Sequence, residues 1–124
     1  MTNTLAIRLA ALMGFLAVTL GAFGAHGLKD RVPADLLQVW ETGARYHSYH
    51  ALALLATAWA ITRWPDARAA GAAGWLFVGG TLLFSGSLYL MTLTGQRWLG
   101  AVTPFGGLLL IAGWACLAWV GWKG

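Results

Sequence analysis

Three histidines hold most of the chemistry open to this chain. His26 stands in the run Gly24-Ala25-His26-Gly27, and His47 and His50 lie three apart in Tyr46-His47-Ser48-Tyr49-His50. On a helix, that spacing puts His47 and His50 on one face. Imidazole nitrogens can hold a metal or haem iron, pass a proton, or donate and accept hydrogen bonds that tie helices together. Ser85, Ser87 and Tyr89 add hydroxyls further along. Several chemistries lack their residues. There is no Cys-x-x-Cys-His, no Gly-x-Ser-x-Gly elbow and no carboxylate set with metal-ligand spacing. The single cysteine, Cys116, rules out an intrachain disulfide and sits in an apolar run, as an inert buried thiol does. The residues therefore nominate a polar pocket made of His26, His50, Tyr46, Ser85 and Tyr89, with no catalytic residue, metal or cofactor expected.

The elements that must position these residues are membrane helices. Of 124 residues, 59% are hydrophobic and 10% charged, against about 25% charged in an ordinary soluble domain. Mean hydropathy is +0.67. Four apolar segments stand out, at about Leu5–Ala25, Gly43–Ile61, Ala69–Leu93 and Val102–Trp122. Each approaches the roughly 20 residues that a helix needs to cross a bilayer. Lipid offers no partner to a free N–H or C=O, and the apolar runs do not alternate as barrel strands do. The expected fold is all-α: a single four-span bundle over residues 1–124. Pro33, Trp64-Pro65-Asp66 and Gly95-Gln96-Arg97 fall between the spans, and Pro104 falls in the first turn of the last helix. The first span reads as a membrane helix in preference to a cleaved leader.

Ala34–Arg45 is different. Asp35, Gln38, Glu41, Thr42 and Arg45 share one side of a helix, with Leu36, Val39, Trp40 and Gly43 on the other. That amphipathic segment either lies on the membrane surface and bends near Gly43, or runs straight into the second span. Ala17, Gly21 and Ala25 form a small-residue row in the first span, and Gly106 and Gly113 a pair in the last. Small residues let helices approach closely in lipid, so Gly21 and Gly106 are expected at helix contacts. Trp64, Trp98 and Trp122 lie at span ends, where indoles anchor in the headgroup region, and the arginines near span ends snorkel to phosphates. The net charge of +4 belongs to such flanking residues and does not form a nucleic-acid surface. Arg8, Arg63, Arg68 and Lys123 balance Lys29, Arg31, Arg45 and Arg97 across the membrane, and the free N-terminus tips both termini toward the cytoplasm. His26 closes the first span at the face where the second begins, and His50 lies about two turns into that span. Both imidazoles are thus expected in one pocket, with Tyr46 a turn above His50.

Gly21-Ala22-Phe23-Gly24-Ala25-His26, Thr42-Gly43 with Tyr46 and His50, Phe84-Ser85-Gly86-Ser87-Leu88-Tyr89, and Thr103-Pro104 with Gly106-Gly107 together span nearly the whole chain. In this set and order the sequence resembles the small membrane proteins of the domain-of-unknown-function 423 family. The resemblance implies a four-span protein of the bacterial inner membrane. His26 and His50 fall on motif positions, and His47 does not. The expected role is a non-enzymatic structural or assembly module that binds membrane lipids, a membrane-protein partner or a second copy of itself. The alternatives are a small transporter or channel using His26 and His50, and a haem or quinone protein.

Overall fold

A computed structural model describes every residue from Met1 to Gly124. The chain forms α1 (Asn3–His26), α2 (Ala34–Arg63), α3 (Arg68–Thr94), a single 3-10 stretch (Arg97–Ala101) and α4 (Thr103–Lys123), with no strand. Local signals set several boundaries. Thr2 caps α1 by accepting a hydrogen bond from the Leu5 N–H at 3.1 Å. Gly95 ends α3 in the left-handed region at φ 72°, with its N–H donating to Met91 O. Pro104 occupies the first turn of α4.

The amphipathic stretch from Ala34 does not lie flat and then turn. It is the opening of α2, which runs unbroken for 30 residues, roughly 45 Å at 1.5 Å per residue. Gly43 is no hinge: an added methyl there would sit 3.1 Å from Tyr89 Cε1 and 3.3 Å from Leu88 Cβ, so its bare backbone lets α3 come close.

The protein is an all-α bundle in which each helix packs chiefly on its neighbour in the chain: α1 on α2, α2 on α3, α3 on α4. Helices α1, α3 and the stretch Arg97–Lys123 are long and apolar enough to cross a membrane. Helix α2 is less apolar, because Tyr46 to His50 interrupt it, and it packs between α1 and α3. That placement shields its polar residues. Twelve positions of α2 are buried, among them His47, His50 and Thr57.

Small residues make the contacts, although not all of the expected ones. A methyl on Gly106 would fall on the backbone nitrogen of Phe84, and one on Gly113 would lie 2.7 Å from Phe77 Cε1. Gly21, by contrast, has room, with Ala44 Cβ at 4.0 Å as its nearest neighbour. The close approach in α1 is at Gly24, whose added methyl would enter the Trp40 indole. The buried residues of α1 are Ala6, Ala10, Ala17 and Gly24; the last three are spaced by sevens, and a repeat of seven keeps one helical stripe on its partner.

Polar bonds tie each neighbouring pair. Trp40 Nε1–H donates to Leu20 O at 2.8 Å between α1 and α2. Ser85 Oγ–H donates to Gly43 O at 2.7 Å and Thr92 Oγ1–H to Leu36 O at 3.0 Å between α2 and α3. Ser87 and Thr103 hydroxyls meet at 2.6 Å between α3 and α4. At the polar end, Arg97 Nη1 reaches Asp35 Oδ2 at 2.7 Å. The hydrogen bond from Arg97 holds the Asp35 carboxyl below its ordinary value. A lowered carboxyl pKa gives stability that is present above the usual carboxylate range and lost as pH falls through the lowered value. Both side chains are well exposed, so the effect is small. Lowering the pH from about 6 to about 3 should reduce the melting temperature of the parent slightly more than that of Asp35→Asn. Equal losses would remove the pair from the account.

Candidate functional site

Helix α2 presents its two inner histidines to different sides of α3. Residues three apart are rotated about 60° from each other, enough to send His47 toward α1 and α3 and His50 toward α3 and α4.

His50 is buried at 4% exposure among aromatic rings, with the Phe77 centroid at 5.6 Å, Trp114 at 6.0 Å and Tyr46 stacked at 6.3 Å. Both ring nitrogens are engaged. Nδ1 lies 2.7 Å from the carbonyl of Tyr46, which can only accept, so Nδ1 carries the proton. Nε2 is left as the acceptor, and Trp114 Nε1–H donates to it at 3.1 Å. One neutral tautomer satisfies both bonds. Nε2 cannot take iron, another metal or a proton without releasing Trp114. No three His, Cys, Asp or Glu side chains converge anywhere in the chain.

His47 sits on the other side. Its Nδ1 lies 3.0 Å from Tyr89 Oη, and its Nε2 has no partner while remaining reachable from the surface. His47, Thr81, Ser85 and Tyr89 floor a groove of about 380 Å³ between α1 and α3, walled by Leu9, Leu12, Met13, Leu16, Leu20, Val78 and Leu82. Thr81 is 5% exposed, and its Oγ1 is buried with no hydrogen-bond partner. His47 lies near the middle of α2 and Thr81 at the centre of α3. The groove therefore lies along the middle stretch of these helices.

The five candidate residues consequently divide. Ser85 and Tyr89 belong to the α1–α3 groove, and His50 and Tyr46 to the aromatic cluster on the far side of α3. His26 joins neither. It is the last residue of α1 and exposed. The antiparallel pairing of α1 with α2, in which Gly24 meets Trp40, leaves it beside the opening turns of α2. His50 is roughly 18 Å further along the axis. A shared His26–His50 pocket does not form, because α2 begins nine residues earlier than the apolar span suggests. Sequence reasoning names His47 but leaves it out of the pocket, and it gives no role to Thr81 or Trp114. The i, i+3 pair was visible, but which side of α3 each imidazole would meet depends on helix rotation.

Comparison with known proteins fits these features. Residues 20–107 match the family described as "Protein of unknown function (DUF423)". The UPF0382 membrane protein YwdK of Bacillus subtilis is 48% identical over 108 residues, covering 87% of this chain and 88% of its own. A UPF0382 membrane protein of Staphylococcus saprophyticus is 46% identical over 111 residues, covering 90% and 91%. One of Haemophilus influenzae is 39% identical over 117 residues, covering 94% and 93%. No solved structure matches.

Proposed function

Because the chain belongs to the DUF423 family of membrane proteins, which comes with no assigned chemistry, its role has to be read from its geometry, and we propose that it is a non-catalytic lipid-binding module of the bacterial inner membrane. The observation that carries this is the groove between α1 and α3: about 380 Å³ and walled chiefly by leucines. A slot of that kind is complementary to one lipid chain. Apart from His47 and Thr81, the inward polar groups named above are spent on holding helices together. His50 is closed at both nitrogens, and Ser85, Thr92 and Trp40 each donate to the backbone of a neighbouring helix. Such an interior favours neither a continuous proton path nor a haem.

Two atoms favour a second reading within the same groove. The open Nε2 of His47 and the unpartnered Thr81 Oγ1 are polar atoms midway along the helices. A phospholipid keeps its ester carbonyls near the headgroups and would leave both without a partner. An isoprenoid quinone could bring a carbonyl to the His47 nitrogen, the reachable one of the two. Extraction of quinone from the purified protein in stoichiometric amount would select this occupant.

Gly86 lines the groove, and a Cβ added there meets nothing within 4 Å. Gly86→Leu should therefore fill the groove from α3 without moving a helix. Native mass spectrometry of the detergent-released protein should show this variant retaining one lipid-soluble molecule fewer than the parent. Equal retention, with both proteins folded, would contradict the lipid-slot reading.

A further inference from the structure

We infer that the face of the bundle carrying the α2–α3 turn holds a headgroup site for one anionic phospholipid, built by Arg63, Arg68, Lys123 and Trp64. These residues, with Asp66 and Trp119, line an open cavity of about 670 Å³ where the ends of α2, α3 and α4 meet. The cavity is distinct from the α1–α3 groove and shares no residue with it.

Its chemistry is one-sided. Three cationic side chains face one acidic side chain, Asp66, and the last residue, Gly124, whose terminal carboxylate is a second acceptor; none of the three cations forms an ion pair, since the protein's one salt bridge joins Arg97 to Asp35 at the opposite end. Two of the three, Arg63 and Lys123, are held by aromatic faces instead. The Arg63 guanidinium carbon lies 5.3 Å from the Trp64 ring centroid and Lys123 Nζ lies 5.0 Å from that of Trp119. This arrangement fixes each head and leaves its hydrogen-bond donors free. The Trp64 indole N–H has no hydrogen-bond partner and is covered by Gly124, so it becomes a donor only when that last residue moves aside. Helix α3 starts in the same place without a side-chain cap, so its first backbone N–H groups add further donors and a positive dipole end.

A concentration of donors with so few acceptors calls for an anion rich in oxygens, which a phosphate supplies. Trp122, 90% exposed on the last turn of α4, and Trp119 beside it put the cavity at headgroup depth, where phosphate arrives on lipid. Basic pockets between transmembrane helices bind anionic headgroups in this way. The headgroup should also lack a cation of its own. The indole faces that could receive a choline or ethanolamine ammonium are already covered by Arg63 and Lys123, and such a group would sit among three positive charges.

The test is a thermal-shift titration of the full chain in detergent with phosphatidylglycerol, with phosphatidylcholine of the same acyl chains, and with inorganic phosphate. Phosphatidylglycerol should bind at least about tenfold more tightly than phosphatidylcholine, with each cation contributing about fivefold. Equal affinities would overturn the proposal. A matching shift from inorganic phosphate alone would assign the site to a free anion and overturn the lipid claim. Combined Arg63→Gln, Arg68→Gln and Lys123→Gln should abolish the preference, and its survival in the folded variant would refute the site. If the triple variant does not fold, Arg68→Gln alone decides. A loss of about fivefold supports the site and unchanged affinity rejects it. Gly86→Leu should leave the preference intact, so this site and the groove can fail separately.

Discussion

Replacing Gly106 by leucine should lower the stability of the bundle by about 1–3 kcal/mol, seen as a lower melting temperature in detergent. A side chain at Gly106 would meet the backbone nitrogen of Phe84, its Cα at 2.8 Å and the Gly80 carbonyl at 2.9 Å. A backbone cannot rotate aside as the end of a side chain can. Helix α4 must therefore move off α3, which would stretch the Ser87–Thr103 bond and loosen Leu110 from its place against Gly80. The matched control is Gly121→Leu on the same helix, where an added Cβ has nothing within 4 Å. Leucine is a better helix former than glycine by somewhat under 1 kcal/mol, so Gly121→Leu should be neutral or slightly stabilising. Identical melting temperatures for the two variants would show that α3 and α4 are not in close contact.

The second large effect belongs to the His50–Trp114 pair. Trp114→Phe removes the donor and leaves His50 Nε2 buried without a partner, and His50→Leu leaves the indole N–H of the half-exposed Trp114 without its acceptor. Each single change should cost about 1–3 kcal/mol, because a polar atom is left unsatisfied. The double variant should cost less than the sum of the two, by about 0.6–1.7 kcal/mol, the range measured for hydrogen bonds between membrane helices. Strictly additive losses would mean that the two rings do not bond, and the case for a closed His50 would go with them. The pair also supplies most of the polar link between α2 and α4, which otherwise meet at few positions.

Most of the architecture could be read from the residues. Four apolar segments, their breakers and the small residues at Gly106 and Gly113 anticipate the helices and the α3–α4 contact, because membrane spans are fixed by length and hydropathy. What could not be read was rotation. Ala17, Gly21 and Ala25 look like a packing row at four-residue spacing, but α1 turns Ala10, Ala17 and Gly24 toward α2 and leaves Ala25 exposed. Which of two overlapping rows is used depends on the partner's shape, here the Trp40 indole that fills the space beside Gly24. The histidines follow the same logic. His50 was nominated with His26 because the apolar stretch of α2 begins near Gly43. The helix itself begins at Ala34, since an amphipathic segment covered by α1 and α3 continues as helix beyond the apolar core. Trp114 carried no signal as a partner of His50, 64 residues away. Two tryptophans of similar surroundings in the sequence, Trp114 and Trp119, end in different roles, one bonded to an imidazole and the other under Lys123.

The central claim is that the α1–α3 groove takes a lipid-soluble molecule while the histidines near it stay free of metal. An experimental structure of the protein in a lipid nanodisc tests it most directly. The account predicts elongated non-protein density running between Leu12, Leu16 and Val78 above His47, with Trp114 still bonded to His50. A groove filled by a helix of a second copy, or a metal or haem bound at His47 or His50, would contradict it.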